Sequence, residues 1–284
     1  MLTPEQLAGL PDEVVALFRD LEEFVIGDIA RRIGKAMDMT ATADGQIAIA
    51  RAAGFDMRDV EARIRKTAEL AEERVAEVME KAAQVSVQAE NVLYSLAGKG
   101  TANILSPALS ALLHEGIAQT QGELRNLTQS LGFAEKGKDG VRRWLPAAQM
   151  YQTELDRALA RVRSGACDRR TAVRSAVENL AKSGLSPKVT FETGHKDKLD
   201  VAVARAVRTG TNQMAARMTE HVMGELGAEY VETSAHPGAR PSHAAWQGKV
   251  FHVGGDVDGY PDFESSTGYG DVAGLCGANC RHSF

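Results

Sequence analysis

The segment from Asp56 to Leu96 carries the feature that most constrains the fold, a long seam of apolar residues. Its apolar side chains recur in steps of four and three. This is the spacing of a heptad repeat, and it predicts one long helix packed against a partner helix. Gly98 and Gly100 follow, and glycine tolerates the backbone conformation that ends a helix. The seam consists of Ile64, Ala68, Ala71, Val75, Val78, Ala82, Val85, Ala89, Val92 and Leu96.

Helix signals continue on both sides of this segment. A second long helix is predicted over residues 101–132, so that the two helices form an antiparallel hairpin joined by a short glycine-containing turn. Asp12, Asp44 and Asp168 are of the residue type that caps helix N-termini, and each precedes an apolar-periodic run. Pro146 suits the first turn of a further helix. The first two thirds of the chain are therefore predicted to be helical.

The pattern changes near residue 185. One helix is still predicted over Asp197–Met223, but alternating residues predict short strands at Lys188–Glu192, Ala228–Thr233 and Lys249–Val253. From Gly254 onward the chain is rich in glycine and shows no period. A small α+β part is therefore expected to follow the helical part.

These segments predict a mainly α fold, with a long helical hairpin or bundle and a small, loop-rich α+β domain. We place the helical domain, with its long antiparallel helices, at residues 1–184 and the C-terminal domain at residues 185–284. No run of about 18 apolar residues predicts a membrane span, and Met1 does not open a secretory signal. The three cysteines fit a reducing compartment.

The charge is distributed unevenly along the chain. The whole chain has a formal net charge of −5, whereas residues 136–174 hold ten basic and four acidic residues. Within them, Arg169, Arg170 and Arg174 could contact DNA phosphates without reading bases. A solvated helix face is the other interpretation of such a basic run. No aromatic residues alternate with the arginines, so stacking on single strands is not expected.

Residues able to carry chemistry concentrate near the C-terminus. Four of the seven histidines lie there, together with two of the three cysteines. Such clustering exceeds what a hydrophobic core needs. We take as the candidate site His236, Arg240, His243, Trp246, Gln247, Gly248, Asn279, Cys280, Arg281 and His282.

Three interpretations of this cluster stay open. The first is a zinc site formed by Cys276, Cys280 and His282 with His243 or His252, although this spacing matches no common zinc finger. The second is a hydrolytic site in which Cys280 is the nucleophile, His282 or His243 is the base, and Asn279 or Asp271 orients the base. On a strand, however, Cys280 and His282 would face the same way without touching. The third, which we favour, is a polar network that cross-links a loop-rich segment and binds no metal.

Several motifs of this segment resemble those of one protein family. They are Ala235-His-Pro-Gly-Ala-Arg-Pro-Ser-His-Ala-Ala-Trp-Gln-Gly-Lys-Val-Phe251, Tyr260-Pro-Asp-Phe263, Gly268-Tyr-Gly, Gly274-Leu and Gly277-Ala-Asn-Cys-Arg-His-Ser-Phe284. They resemble the C-terminal part of the tailed-phage minor capsid proteins of the phage minor capsid protein 2 family, which are similar to Mu F-type head-morphogenesis proteins. Thr40–Gln46 and Leu199–Gln213 resemble helical segments of the same family. Relatives usually continue past the position of Phe284 with aromatic and proline residues.

The resemblance implies a structural head protein of a tailed bacteriophage. Such a protein is expected inside the capsid at the portal vertex, and in the host cytoplasm during assembly. It would act in head morphogenesis, DNA packaging or DNA exit. Its expected partners are the portal protein, other head proteins and packaged double-stranded DNA. The DNA would be bound without sequence preference, and no membrane is expected as a partner. The family brings no catalytic residues, so neither an enzyme nor a cofactor is expected. The alternatives are a metal-dependent hydrolase or nuclease and a non-specific DNA-binding module.

Overall fold

The computed structural model describes residues 1–39, 57–137, 141–188 and 197–284. Helices dominate these residues, and the strands form only small antiparallel sheets, which confirms the predicted fold class. In chain order the elements are α1 Pro4–Gly9, α2 Asp12–Met39, α3 Arg58–Leu96, α4 Pro107–Thr128, β1 Leu131–Lys136, β2 Arg142–Pro146, α5 Ala147–Arg163, α6 Arg169–Ser183, β3 Leu185–Pro187, α7 Leu199–Leu226, β4 Tyr230–Glu232, α8 Pro241–Ala244, β5 Val250–His252 and α9 Phe263–Thr267.

The chain forms two compact units, and each is assembled from separate segments. Unit 1 consists of Met1–Val14, Glu72–Leu124 and Val203–Phe284. Unit 2 consists of Val15–Ala71 and Arg125–Ala202. Segments distant in the chain belong to one unit because long helices pair with partners far away in sequence. The division into domains 1–184 and 185–284 stays a prediction.

The helical hairpin is seen in Glu72–Leu124 of unit 1, which holds most of α3 and α4. The side-chain amide of Asn91 bonds both backbone groups of Ala102, at 2.8 and 2.7 Å, beside the turn between α3 and α4. Farther from the turn, Gln121 donates to the carbonyl oxygen of Glu72 at 3.0 Å. The separation between bonded residues widens away from the turn, so the two helices run antiparallel, as predicted.

Only the middle of the heptad seam is buried. Ala71, Val75, Val78 and Ala82 are in the core, whereas Val85, Val92 and Leu96 are exposed. A straight α-helix drifts by about 20° per heptad against a strict seven-residue repeat, so one seam cannot stay on the buried face of so long a helix. Packing within the molecule therefore covers the middle of the seam, and its C-terminal end stays exposed.

Close approach of α4 and α7 depends on two glycines in unit 1. A Cβ atom on Gly116 would lie 2.7 Å from Cγ of Met214, and one on Gly210 would lie 2.0 Å from Oγ1 of Thr120. Neither position could take a larger side chain without moving a helix. Helix α4 thus packs directly against helix α7.

Unit 2 contains a small antiparallel sheet with strand order β2-β1-β3. Phe133 of β1 pairs with Leu145 of β2 and with Leu185 of β3, and it is fully buried. The prediction of a helix to Gly132 is wrong, because α4 ends at Thr128 and Gly132 belongs to β1. A Cβ atom there would lie 2.2 Å from the carbonyl oxygen of Leu145, so this glycine permits strand contact and ends no helix.

The capping predictions had mixed outcomes. Asp168 accepts a hydrogen bond from the backbone N–H of Thr171 and caps α6, as predicted. Pro146 precedes the first residue of α5 as its cap and ends β2, so its placement in the first helical turn is wrong. The predicted helix after Asp44 lies outside the described residues, as does all of the predicted strand Lys188–Glu192 except its first residue.

The C-terminal part of unit 1 has its own small apolar core. The short strands β4 and β5 pair antiparallel, with Val231 opposite Phe251, and confirm the two strands predicted after α7. Their buried faces pack with Trp246, Phe263 and Phe284, among other residues. The chain end thus belongs to the core. Within the residues that the structure describes, no helix combines the length and apolarity needed to cross a membrane.

Candidate functional site

Residues from Ala235 to Phe284, called here the C-terminal segment, form few regular hydrogen-bond ladders and bend sharply. Two of its non-glycine residues, Cys276 and Asn279, have a φ of 57°. This value lies in the left-handed region, which residues with a Cβ atom seldom adopt. Such a conformation persists only where surrounding contacts fix it. The contacts that fix it come from side chains of α7 and from the segment itself.

Helix α7 holds the end of the C-terminal segment with one polar face. Asn212, which is 1% exposed, donates through Nδ2 to the carbonyl oxygens of Cys280 (3.3 Å) and His282 (2.9 Å). One turn earlier, Arg208 bonds Oδ1 of Asn279, and Thr209 accepts the Asn279 backbone N–H at 2.9 Å. These bonds satisfy backbone groups that have no ladder partner.

The two ends of the chain meet in unit 1. The Ser283 hydroxyl donates to the carbonyl oxygen of Leu2 at 2.6 Å, and the Ser283 backbone N–H donates to Oγ of Ser234 at 2.9 Å. Arg208 also donates to the carbonyl oxygens of Leu7 (3.0 Å) and Ala8 (3.2 Å). One arginine therefore links α7, the first helix and the C-terminal segment.

At the centre of the C-terminal segment, His243, Cys280 and His282 form a buried cluster. Nδ1 of His243 lies 3.4 Å from Nδ1 of His282, and Sγ of Cys280 lies 3.8 and 3.6 Å from these two atoms. The expectation that Cys280 and His282 do not touch is wrong. It assumed a strand, whereas neither residue belongs to one, and Sγ of Cys280 lies 3.4 Å from the backbone nitrogen of His282.

A second layer surrounds this cluster. Nε2 of His243 lies 2.8 Å from the carbonyl oxygen of Ala273, and Nε2 of His282 lies 3.1 Å from Oε1 of Gln247. The same Oε1 accepts the backbone N–H of His236 at 3.1 Å. Trp246 packs against both cluster histidines, tilted against His243 at 4.6 Å and edge-on to His282 at 4.8 Å between ring centroids. The cluster is thus packed and hydrogen-bonded from several sides.

The remaining predicted site residues lie at the rim of the segment. Arg240 is exposed and donates to the carbonyl oxygen of Ala278 at 2.6 Å. Arg281 is half-buried, with Nη2 3.5 Å from Nδ1 of His236, whose ring stacks on His282. Gly248 has a φ of 66° and donates its N–H to Thr233. The structure therefore brings the ten predicted residues of the segment into one region.

Burial shifts the protonation equilibria of this cluster. Desolvation, followed by the nearby His236 and His243, lowers the pKa of His282 to about 4. Burial raises the pKa of the Cys280 thiol, and it raises that of Cys276 well above the ordinary value. In contrast, hydrogen bonds from the backbone and side chain of Ser265 lower the pKa of Asp262, which caps α9. His282 and the Cys280 thiol are therefore both neutral at physiological pH.

This geometry does not favour a hydrolytic site. His243, Cys280 and His282 are each only 1–2% exposed, so a polymer such as DNA has no access to them. A raised thiol pKa also disfavours the thiolate that a cysteine nucleophile needs. Asn279, one candidate for orienting the base, bonds Arg208 and Thr209 instead.

The predicted DNA-contacting residues lie in unit 2. Arg169, Arg170 and Arg174 are exposed on the first turns of α6, and Arg161 and Arg163 are exposed at the end of α5. The turn between α5 and α6 therefore carries a basic surface. It also holds one carboxylate, that of Asp168, which caps α6.

Sequence reasoning missed the residues that anchor the segment from outside it. Arg208 and Asn212 lie four residues apart, a spacing that places them on one face of a helix, but it does not tell what that face contacts. Ser283 carries no pattern of its own. The available signal was a polar stripe on an otherwise apolar helix.

Comparisons with known proteins agree with one another. A family model described as "Phage minor capsid protein 2" matches residues 2–284. The chain is also similar to a protein named "Structural protein" of Lactococcus phage LL-H, with 27% identity over 185 residues. The aligned region covers 63% of this chain and 48% of that protein, so the chain spans about half the length of this curated relative. No solved structure shows significant similarity.

Proposed function

Because the chain belongs to the phage minor capsid protein 2 family, we propose that it is a head component of a tailed bacteriophage that binds the portal protein at the portal vertex, inside the capsid. The family match over nearly the whole chain is the observation that carries the proposal, and it confirms the resemblance of the C-terminal motifs. The protein assembles in the host cytoplasm. It acts there in head morphogenesis, and in the particle in DNA packaging or exit.

The chemistry of the C-terminal segment supports a structural role over an enzymatic one. Its polar side chains bond backbone carbonyl groups and one another, and Asn212, Arg208 and Arg240 each bond the chain near its end. Side chains used in this way stabilise a loop-rich fold and are not available to a substrate. The segment thereby provides a rigid support from which other surfaces bind head proteins.

The exposed end of the α3 seam is the surface that we assign to the portal protein. Val85, Val92 and Leu96 follow one another at spacings of seven and four, and Leu96 is 82% exposed. Leu93, beside them on α3, is 59% exposed. A contiguous apolar stripe on an exposed helix favours packing with a helix of another chain. We define Val85, Val92 and Leu96 as the distal seam.

A charge in the distal seam is expected to abolish portal binding. The double variant Val92→Asp, Leu96→Asp should lose retention of the portal protein of the same phage, because apolar contact with the partner helix is replaced by buried carboxylates. Its thermal melting should not change, because both side chains are exposed. Co-purification from cells that express both proteins measures retention.

The matched control is Val257→Asp, which changes an exposed valine elsewhere in unit 1. This control should retain the portal protein as well as the unchanged chain does. Equal retention by the distal-seam variant would exclude that surface. No retention by the unchanged chain would contradict portal binding itself.

Packaged DNA is the second partner that we propose, and the exposed arginines around the α5–α6 turn favour it. Replacing Arg169, Arg170 and Arg174 by alanine should weaken DNA binding for any sequence and reduce its salt dependence, with a slope loss of about one per phosphate contact removed. Fluorescence anisotropy with two unrelated duplexes over a salt series measures both quantities. Binding that does not depend on salt, or that the triple variant retains in full, would contradict the proposal that this surface binds DNA.

A further inference from the structure

We infer that His243, Cys280 and His282 bind one Zn²⁺ ion, through Nδ1 of each histidine and Sγ of the cysteine. These three atoms lie within 4.8 Å of one another, and all three residues are buried. Imidazole nitrogen and thiolate sulfur are the ligands that zinc prefers among protein side chains. The zinc interpretation offered by the sequence also included Cys276, which this site does not use. His243 comes from the short helix α8 and the other two ligands from the chain end.

The distances between the ligand atoms fit tetrahedral zinc. With Zn–N bonds of about 2.0–2.1 Å and a Zn–S bond of about 2.3 Å, a tetrahedral ion separates two nitrogens by about 3.4 Å, and nitrogen from sulfur by about 3.6 Å. The observed separations are 3.4 Å between the nitrogens, and 3.6 and 3.8 Å from the nitrogens to sulfur. The three ligands therefore need little rearrangement to bind the ion.

The hydrogen bonds of the second layer prepare both histidines for a metal. A carbonyl oxygen only accepts, so Nε2 of His243 must donate its N–H to Ala273. The amide atom of Gln247 near His282 is an oxygen, because it also accepts the backbone N–H of His236, so Nε2 of His282 likewise donates. A ring that carries a single proton, on Nε2, then has its Nδ1 lone pair directed at the cluster centre. Such bonds from the distal ring nitrogen are typical of metal-binding histidines.

Without an ion, this arrangement is poorly satisfied. Two Nδ1 lone pairs face each other at 3.4 Å, and the single S–H of Cys280 can donate to only one of them. A Zn²⁺ ion at the centre would accept all three lone pairs. Cys280 loses its proton to solvent on binding, and its sulfur is already placed to accept the backbone N–H of His282 at 3.4 Å.

The fourth coordination position is assigned to a water molecule. Cys276 is the nearest further thiol in sequence, but its Sγ contacts the carbonyl oxygen of His282 at 3.6 Å and does not join the three ligand atoms. Burial of the ligands indicates a structural ion that joins α8 to the end of the chain. Binding of such an ion adds directly to the free energy of unfolding.

Elemental analysis of the full-length protein tests this inference. Protein purified with zinc and dialysed into metal-free buffer should retain about one Zn²⁺ per chain, and a chelator should lower its melting temperature. His243→Ala and Cys280→Ser should lose the ion, whereas Cys276→Ser should retain it. Reconstitution with Co²⁺ should give a thiolate-to-metal absorption band that is present in Cys276→Ser.

Zinc content and melting of the unchanged chain test the site even if the ligand variants fail to fold. A chain that retains no stoichiometric zinc, and whose melting is insensitive to chelator, would overturn the site. Zinc retained equally by folded His243→Ala and Cys280→Ser would overturn the ligand assignment. Loss of zinc from Cys276→Ser would contradict the assignment of water to the fourth position.

Discussion

Gly274→Ala is expected to lower the free energy of unfolding by about 3 kcal/mol, because the new methyl group would overlap backbone atoms. A Cβ atom at this position would lie 1.8 Å from the carbonyl oxygen of Gly268 and 2.4 Å from its carbonyl carbon. No side-chain rotation can relieve an overlap with backbone, so the C-terminal segment itself would have to move. Leu275, Cys276 and Gly277 follow directly and are all buried, so the movement would reach the core.

Urea denaturation of the two proteins measures this effect. Gly224→Ala is the matched control, because no atom lies within 4 Å of the Cβ position of this glycine in α7. Alanine is the better helix former, so the control should gain up to about 1 kcal/mol. A Gly274→Ala variant as stable as the unchanged chain would show that the backbones at Gly268 and Gly274 do not approach each other as described.

Asn212→Asp is expected to have an effect of similar size, at roughly 3 kcal/mol or more. The substitution preserves shape but replaces the Nδ2 donor by a carboxylate oxygen. That oxygen would face the carbonyl oxygens of Cys280 and His282, which now accept hydrogen bonds at 3.3 and 2.9 Å. A buried charge would thus lie beside two acceptors and no donor. The end of the chain is expected to detach from α7 before the helices unfold.

Hydrogen exchange resolves this local effect. Amides of the chain end should exchange faster in Asn212→Asp, while those of the α3–α4 hairpin keep their protection. Gln213→Glu is the control, because it makes the same chemical change at the next, half-buried residue of α7. If both variants exchange alike, Asn212 does not hold the segment.

Local patterns predicted much of the helical part of the fold. The heptad spacing predicted α3 to within two residues of its observed start, and Asp168 predicted the start of α6. The side of α3 that stays buried was not predictable from the repeat alone. It depends on the accumulated drift of a straight helix and on where its partner helices end, and neither is encoded in the spacing of ten residues.

The sheet in unit 2 was not predicted from the sequence, for a different reason. Gly132 was interpreted as a helix end, but its lack of a side chain serves contact with Trp144 and Leu145 on the next strand. Glycine permits both roles, and only the strand partner distinguishes them. The residues of the C-terminal cluster were predicted, whereas their arrangement was not. The segment holds two non-glycine residues in the left-handed region, Cys276 and Asn279, and no alternation pattern predicts such a backbone.

Quantitative mass spectrometry of gradient-purified virions tests the central claim most directly, namely that this chain is a structural component of a phage head. We expect the chain to be present in the particle, in few copies relative to the major capsid protein, and to remain with the portal protein when particles are disrupted. A chain that is abundant in infected cells but missing from purified particles would contradict it.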